Sequence, residues 1–206
     1  MKSKRDLQSY IDNIEVLLNQ LNNMQTVDEA MGIEGKIHIV YYSAWQKIFN
    51  KDVDFTKRVR RPPDNMVNTL ISFLNTMMYT TCLSEIYTTQ LNPAISFLHS
   101  TNERKFSLCL DISEIFKPII VDRLIFSLIN KNVVSEDDFE KQSNFCYMKP
   151  KTKQKVVKAY YDYLQTTIMH RKLHRKVSYQ HLIKLECYKL IKSLTEDEPY
   201  EPFKAY

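Results

Sequence analysis

Acidic side chains recur along one face of an otherwise apolar segment in the middle of the chain. Asp111 and Glu114 are three residues apart, and Asp122 follows eleven residues after Asp111. At about 100° per residue of an α-helix, these carboxylates would point in roughly the same direction. Buried charges need partners, water or a metal ion, because leaving them unpaired is costly. Lys117 and Arg123 could supply ion pairs, so a structural salt-bridge cluster is the alternative to a metal site.

A single histidine, His99, ends an apolar stretch that begins at Ile95. A polar connection to Lys105 follows it. A lone histidine in such a place is more often a hydrogen-bonded structural residue than a metal ligand. Both interpretations of His99 therefore remain open at this point.

Glu34 lies between Gly32 and Gly35, which are the only two glycines in the sequence. Glycine inside a helix costs roughly 1 kcal/mol relative to alanine, so this pair predicts close approach by another backbone or by a ligand. His38 is four residues after Glu34 and would share its helical face. One imidazole with two or three carboxylates is a mostly oxygen ligand set, which suits Mg²⁺ or Mn²⁺ rather than structural Zn²⁺.

Basic residues occur in three clusters, at positions 57–61, 149–158 and 171–176. Such runs are usually solvated faces. Because the net charge of the whole chain is only +5, three clusters indicate segregated charge of the kind that a phosphate-backbone binder needs. Together with the carboxylates and histidine, they suggest metal-assisted phosphodiester chemistry. The candidate DNA-binding side chains are Arg58, Arg60, Arg61, Lys151, Lys153, Arg171 and Arg175.

The composition predicts an all-α, multi-helix domain. In 206 residues there are only two glycines, whereas sandwiches and barrels need residues with positive φ at many turns. No apolar run reaches 18 residues, so no membrane span is expected. The four cysteines are far apart and match no zinc spacing, which indicates free thiols in a reducing compartment, the cytoplasm.

Apolar spacing and capping signals divide the chain into helices. We expect a lead-in helix within residues 1–24, a second helix from the capping box at Thr26 to about Phe49, and a third with Asp64 as its N-cap. A buried helix starts near Leu110, with Pro118 marking a kink or boundary. The remaining expectations are a helix start at Ser135–Asp138, helices over 151–170 and 179–194, and an irregular tail over 195–206.

Several ordered motifs resemble one known family over nearly the whole chain. They are Met31–Gly35 with Tyr41 and Tyr42, Arg58–Asn65 with Asn68, Gln90–Pro93 through Phe97–His99, Phe106–Pro118, Val121–Arg123, Val177–Tyr179 and Tyr188–Leu190. On these motifs the chain resembles the C-terminal helical domain of the CRISPR-associated spacer-acquisition integrase, the Cas1 family, and its type I-B members in particular. We expect the β-rich N-terminal domain of that family, which mediates dimerisation, to be missing from this chain.

The resemblance assigns roles to individual residues. It implies that Glu34, His99 and Glu114 are ligands of a catalytic Mg²⁺ or Mn²⁺, with Asp111 as a nearby catalytic carboxylate and Arg60 and Arg61 beside the site. It leaves His38 as a surface or packing residue.

The same resemblance implies a function. The family is a metal-dependent DNA endonuclease and integrase that joins the 3′-hydroxyl of a captured DNA fragment, the protospacer, to the CRISPR repeat by transesterification. It would act as a homodimer with Cas2, the second acquisition protein. The alternative is a non-catalytic helical DNA-binding or scaffold fragment, which would bind DNA without cutting it.

Overall fold

A computed structural model of the chain describes residues 6–99, 105–196 and 198–205. Outside these ranges lie the first five residues of the predicted lead-in segment and positions 100–104 of the predicted polar connection. The helices are α1 (Gln8–Gln20), α2 (Val27–Ser43), the single turn α3 (Trp45–Ile48), α4 (Met66–Tyr87), α5 (Leu108–Lys117), α6 (Arg123–Asn130), α7 (Pro150–Leu164) and α8 (Tyr179–Thr195). The strands are β1 (Phe139–Gln142), β2 (Phe145–Met148), β3 (Thr167–His170) and β4 (Arg175–Ser178).

The chain divides into two compact units. The first contains Met1–Thr69 and Phe126–Met148, and the second contains Leu70–Ile125 and Lys149–Tyr206. No helix in the described ranges is both long and apolar enough to span a bilayer.

The first unit is centred on a cluster of aromatic rings. Trp45 is fully buried, and its ring centroid lies 4.7 Å from that of Phe126 and 5.4 Å from that of Phe55. The predicted capping box is confirmed, since Thr26 Oγ1 accepts a hydrogen bond from the backbone N–H of Glu29, and the Glu29 carboxylate accepts one from the backbone N–H of Thr26. Hydrogen bonds from the backbone N–H groups of Gln25 and Thr26 lower the pKa of the Glu29 carboxyl. The cap fixes where α2 starts and thereby the position of Glu34 along it.

The N-cap of α4 is Asn65 rather than Asp64. The Asn65 side-chain oxygen accepts from the backbone N–H of Asn68 at 2.9 Å, which satisfies one of the helix's unpaired donors. The Asp64 carboxylate instead accepts from the side-chain amide of Asn68, at 2.8 Å. The prediction of Asp64 as the cap was therefore wrong by one residue, because adjacent Asp and Asn side chains are equally good caps in sequence.

The second unit is built on the apolar spacing of α4. Leu70, Leu74, Met78, Cys82 and Ile86 follow at four-residue intervals, and each is fully buried. These residues form one buried face, as the apolar spacing of the predicted third helix requires. All four cysteines of the chain are free, as expected, and the structure shows that each is buried. Burial raises the pKa of each thiol, to about 11 for Cys109 and about 12 for Cys187.

Pro118 marks a boundary, as predicted. It ends α5 and begins a π-helical turn, Pro118–Asp122, which leads into α6. Proline has no N–H to donate to the preceding turn, so the regular helical hydrogen bonding cannot continue through it. The turn also interrupts the regular spacing that would align Asp122 with Asp111 and Glu114. Asp122 is buried there.

The fold is mostly helical but not purely α. Two antiparallel hairpins, β1–β2 and β3–β4, each pair four residues on each strand. The scarcity of glycine favours an all-α domain without strands. That expectation was wrong because Ser143 and His174 adopt the positive φ angles of the two hairpin turns, 53° and 49°. Strands this short also leave almost no alternation to detect in the sequence.

Two helix predictions were right at their starts and wrong in their extent, because a short strand takes the place of further helix in each. Ser135–Asp138 does contain a capping box, but it starts a single 3-10 turn that leads directly into β1. The helix predicted over 151–170 ends at Leu164, and Thr167–His170 is strand β3. Residues 198–205 form neither helix nor strand.

Candidate active site

A buried carboxylate on α5 holds the histidine. Oδ1 of Asp111 lies 2.6 Å from Nδ1 of His99 and accepts the backbone N–H of the same residue at 3.3 Å. Oδ2 accepts the backbone N–H groups of Phe97 and Leu98, at 2.9 and 3.3 Å. The Asp111 side chain is only 5% exposed, so these four donors replace the water that it gave up. The carboxylate therefore closes the 97–99 turn onto α5.

The same contact sets the tautomer of the ring. An ionised carboxylate can only accept, so the proton of the neutral imidazole is on Nδ1, and the lone pair is on Nε2. The turn is further tied to the start of α5, where the backbone N–H of Leu108 donates to the carbonyl of Pro93 and the Ser107 hydroxyl donates to that of Ala94. His99 is thus held in one orientation through both its backbone and its ring.

Glu114 lies one helical turn beyond Asp111 and is 29% exposed. Its carboxylate forms an ion pair with Lys117, whose ammonium also donates to the hydroxyl of Tyr79 on α4 at 2.9 Å and lies 4.6 Å from the centre of that ring. Burial by itself would lower the pKa of Lys117, but the negative charge of Glu114 and the Tyr79 hydroxyl outweigh it and raise this pKa. Lys117 therefore stays charged at neutral pH, and the ion pair that the sequence offered as an alternative is formed.

Glu34 lies in the first unit, on α2. Its Oε1 is 3.3 Å from Nε2 of His38, and the imidazole of His38 stacks on Tyr42 with the centroids 5.8 Å apart. Both side chains of the pair are about one-third exposed, 33% for Glu34 and 39% for His38. A β-carbon added at Gly32 or Gly35 would have no neighbour within 4 Å. The prediction that another part of the described backbone approaches these glycines was therefore wrong.

The structure thus brings some of the predicted site residues together. In the second unit His99 contacts Asp111, and Glu114 follows on the same helix. Sequence reasoning missed Tyr79, whose contact with Lys117 joins residues 38 positions apart. No pattern in the sequence signals that contact.

Most of the candidate DNA-binding side chains are exposed. Arg60 and Arg61 lie in the loop before α4, Lys151 and Lys153 on the first turn of α7, and Arg171 and Arg175 on the β3–β4 hairpin. Arg58 differs from them, because it is half-buried and its guanidinium donates to the side-chain oxygen of Asn68. Asn68 is itself fully buried. Arg58 therefore fixes the basic loop to the start of α4.

Comparison with known proteins identifies the family. The family model described as CRISPR associated protein Cas1 matches residues 1–162. The chain belongs to the Cas1 family. It is 51% identical over 202 residues to the CRISPR-associated endonuclease Cas1 of Fusobacterium nucleatum, a match that covers 98% of this chain and 60% of that protein.

Solved structures of Cas1 and of a related enzyme have the same fold. A Cas1 protein from Thermotoga maritima is 43% identical with a TM-score of 0.82, covering 89% of this chain and 57% of that one. A casposase bound to its integration product is 25% identical with a TM-score of 0.80, covering 92% and 56% of the two chains. The chain spans only about three-fifths of the length of the curated Cas1 relatives that it matches.

Proposed function

We propose that this chain provides the catalytic chemistry of a divalent-metal-dependent DNA endonuclease and integrase that inserts foreign DNA fragments into a CRISPR array as new spacers. The His99–Asp111 pair is the observation that carries the proposal. A carboxylate bound to one ring nitrogen, which orients the other toward a ligand position, is typical of metal-binding histidines. The endonuclease name of the relatives and the integration product in the casposase structure support the same class of reaction.

We propose Glu34, His99 and Glu114 as the residues that hold Mg²⁺ or Mn²⁺. Two carboxylates and one imidazole form the mostly oxygen donor set that these ions prefer. Asp111 is a positioning residue in this proposal, because all of its hydrogen bonds with the 97–99 turn serve to orient His99. When bound, the ion would polarise the scissile phosphate and stabilise the leaving oxygen.

The reaction itself is a transesterification. The 3′-hydroxyl of the captured fragment attacks a phosphorus atom of the CRISPR repeat, a new P–O bond forms, and the bond to the repeat's own 3′-oxygen breaks. No protein side chain becomes covalently attached. Asp111 keeps the proton of His99 on Nδ1, and Lys117 holds the Glu114 carboxylate by its positive charge. The partners in this proposal are protospacer and repeat DNA, Cas2 and a second copy of the protein.

The test of the proposed function is an assay on a 5′-labelled branched DNA. We expect cleaved or strand-transferred products with Mn²⁺, no product with EDTA, and recovery of the activity when Mn²⁺ is added in excess of the chelator. DNA binding is measured in parallel by fluorescence anisotropy. Binding without products under all of these conditions would contradict the proposal.

A scaffold is the second candidate function. The Glu114–Lys117 ion pair favours it, because such a pair can be purely structural. A scaffold predicts that DNA binding weakens steeply with salt and that neither Mn²⁺ nor EDTA changes the DNA. The assay above therefore separates the two functions.

Neutralising the tip of the β3–β4 hairpin is expected to reduce the salt dependence of DNA binding. Both Arg171 and Arg175 are exposed, and each phosphate contact adds about 0.9 to the slope of log K against log salt for duplex DNA. The double replacement Arg171→Ser with Arg175→Ser should lower that slope by about 1.8. The slope is measured from DNA-binding titrations by fluorescence anisotropy at salt concentrations between about 50 and 200 mM.

The matched control removes two exposed lysines outside the basic clusters, by Lys47→Ser with Lys131→Ser. The control has the same net charge as the hairpin variant, so a general electrostatic effect would change both slopes equally. Equal slopes for the two variants would exclude the hairpin from the DNA-binding surface.

A further inference from the structure

One buried carboxylate of the second unit, Glu186, lies outside the candidate active site. Glu186 on α8 is 1% exposed. Its Oε1 accepts from the hydroxyl of Tyr200 at 2.6 Å and from the backbone N–H of Phe203 at 3.1 Å, and its Oε2 is 2.7 Å from the ammonium of Lys189. Burying a charge is costly unless it is hydrogen-bonded. Two of these three donors come from residues 198–205, which we call the C-terminal segment.

Further contacts hold the C-terminal segment along α8. The ammonium of Lys189 donates to the carbonyl of Glu201 at 2.8 Å, and that of Lys192 lies 2.7 Å from the carboxylate of Glu198. Burial and the bond to Glu186 raise the pKa of Tyr200, so its hydroxyl remains a donor at neutral pH. A segment without helix or strand is therefore fixed to α8 by a buried carboxylate and by two lysines of the same helix.

From this position the C-terminal segment contacts the two elements of the second unit that carry candidate site residues, the 97–99 turn and α5. The Tyr200 ring lies 6.3 Å from that of Phe97, two residues before His99. The Phe203 ring stacks on Phe116 at 5.9 Å with 14° between the planes, and Phe116 lies on α5 two residues after Glu114. One segment thus links α8 to the turn that carries His99 and to the helix that carries Asp111.

The 97–99 turn needs such support. Phe97 belongs to neither helix nor strand, and it is 54% exposed. Because no helix or strand holds this residue in place, the contact of its ring with Tyr200 helps to set the position of the turn. Hydrogen bonds to Asp111 fix the backbone of the turn from the α5 side. Tyr200 packs against the side chain of the same turn, and Glu186 fixes Tyr200.

We propose that the C-terminal segment, anchored by its hydrogen bonds to Glu186, is a positioning element. It holds the 97–99 turn against Asp111 and thereby keeps His99 oriented for cation binding. Tyr200 and Glu186 are positioning residues in this scheme, acting through Phe97 and the turn. The cation-binding part of this inference rests on the proposed function, whereas the orientation of His99 does not.

The test compares Tyr200→Ala with Tyr188→Ala, which removes a half-exposed tyrosine from the same α8 region. We expect Tyr200→Ala to weaken Mn²⁺ binding by about tenfold, measured by electron paramagnetic resonance, a loss of the size seen for residues that orient ligands. It should also shift the imidazole ¹⁵N resonance of His99. Tyr188→Ala should leave both unchanged. Unfolding midpoints, measured by circular dichroism, show separately how far each variant is destabilised.

A second variant keeps the proposal testable if Tyr200→Ala does not fold. Tyr200→Phe retains the ring but loses the hydroxyl that Glu186 holds. It should weaken Mn²⁺ binding by about threefold or less and shift the His99 resonance in the same direction as Tyr200→Ala, by a smaller amount. A lower unfolding midpoint with unchanged Mn²⁺ affinity and an unchanged His99 resonance would overturn the proposal and leave the segment a purely structural element.

Failure of the proposed function would be recognised separately. If the unmodified chain binds no Mn²⁺ or leaves branched DNA intact, the function fails. The His99 resonance still decides the positioning role, because that readout requires neither metal nor DNA.

Discussion

Replacing His99 with alanine is expected to abolish Mn²⁺-dependent cleavage and joining of branched DNA. The side chain supplies the imidazole of the proposed ligand set, and Asp111 holds it in one orientation. We expect a loss of more than about a hundredfold in rate, which corresponds to about 2.7 kcal/mol in the barrier. Mn²⁺ affinity should fall together with the rate, since the same ring nitrogen serves both. The measurements are initial rates on the labelled substrate and Mn²⁺ binding by electron paramagnetic resonance.

The expected loss is chemical rather than structural. The variant leaves one oxygen of Asp111 without its ring donor, so the unfolding free energy should fall by only about 1–2 kcal/mol. DNA affinity should remain within about twofold, because phosphate contacts from the basic clusters are untouched. The matched control is His181→Ala, on α8 in the same unit, which should keep full activity. An active His99→Ala protein would remove His99 from the mechanism and favour the scaffold.

Replacing Asp111 with alanine is expected to reduce both stability and cation affinity. Three backbone N–H groups and the His99 ring would lose their acceptor together. Because the turn is partly exposed, water can satisfy some of these donors, and we expect a loss of about 2–4 kcal/mol in unfolding free energy. Mn²⁺ affinity should fall by about 10- to 100-fold, as for other carboxylates that orient a ligating histidine.

Asp111→Asn separates these two effects. The amide keeps one oxygen acceptor but turns an NH₂ group toward donors, so the variant should lie between the unmodified protein and Asp111→Ala in both measurements. The control is Asp162→Ala, an exposed acid on α7, which should change neither. Denaturant unfolding and Mn²⁺ titration provide the data. If Asp111→Ala bound Mn²⁺ as tightly as the unmodified chain, the carboxylate would have no positioning role.

The helices could be predicted because their signals are local. The capping box at Thr26, the four-residue spacing of α4 and the boundary at Pro118 each depend on residues within a few turns of one another. The hairpins could not be predicted, because each strand has only four residues and the turns use Ser143 and His174 at positive φ in place of glycine. Local patterns therefore predicted the mostly helical character, but the all-α class was right only in part because the two hairpins were missed.

The candidate site was predictable in its residue types and not in its contacts. Carboxylates and a histidine were visible in the sequence, and the motif resemblance selected among them. Whether Asp111 binds a cation or orients His99 depends on how the 97–99 turn closes onto α5, which is a tertiary contact. Glu186 escaped notice because an acidic residue on an amphipathic helix normally faces solvent, and its partner Tyr200 is 14 residues further on.

The four buried thiols can report local unfolding of the chain through their chemical reactivity. Cys146 belongs to the first unit, whereas Cys82, Cys109 and Cys187 belong to the second. Burial raises the pKa of all four thiols, so the reactive thiolate form is scarce in the folded state. Alkylating reagents should therefore react with a cysteine only when local unfolding exposes it. Site-resolved labelling rates would therefore report how often each unit opens, and mild thiol oxidants should leave these four cysteines reduced in the folded protein.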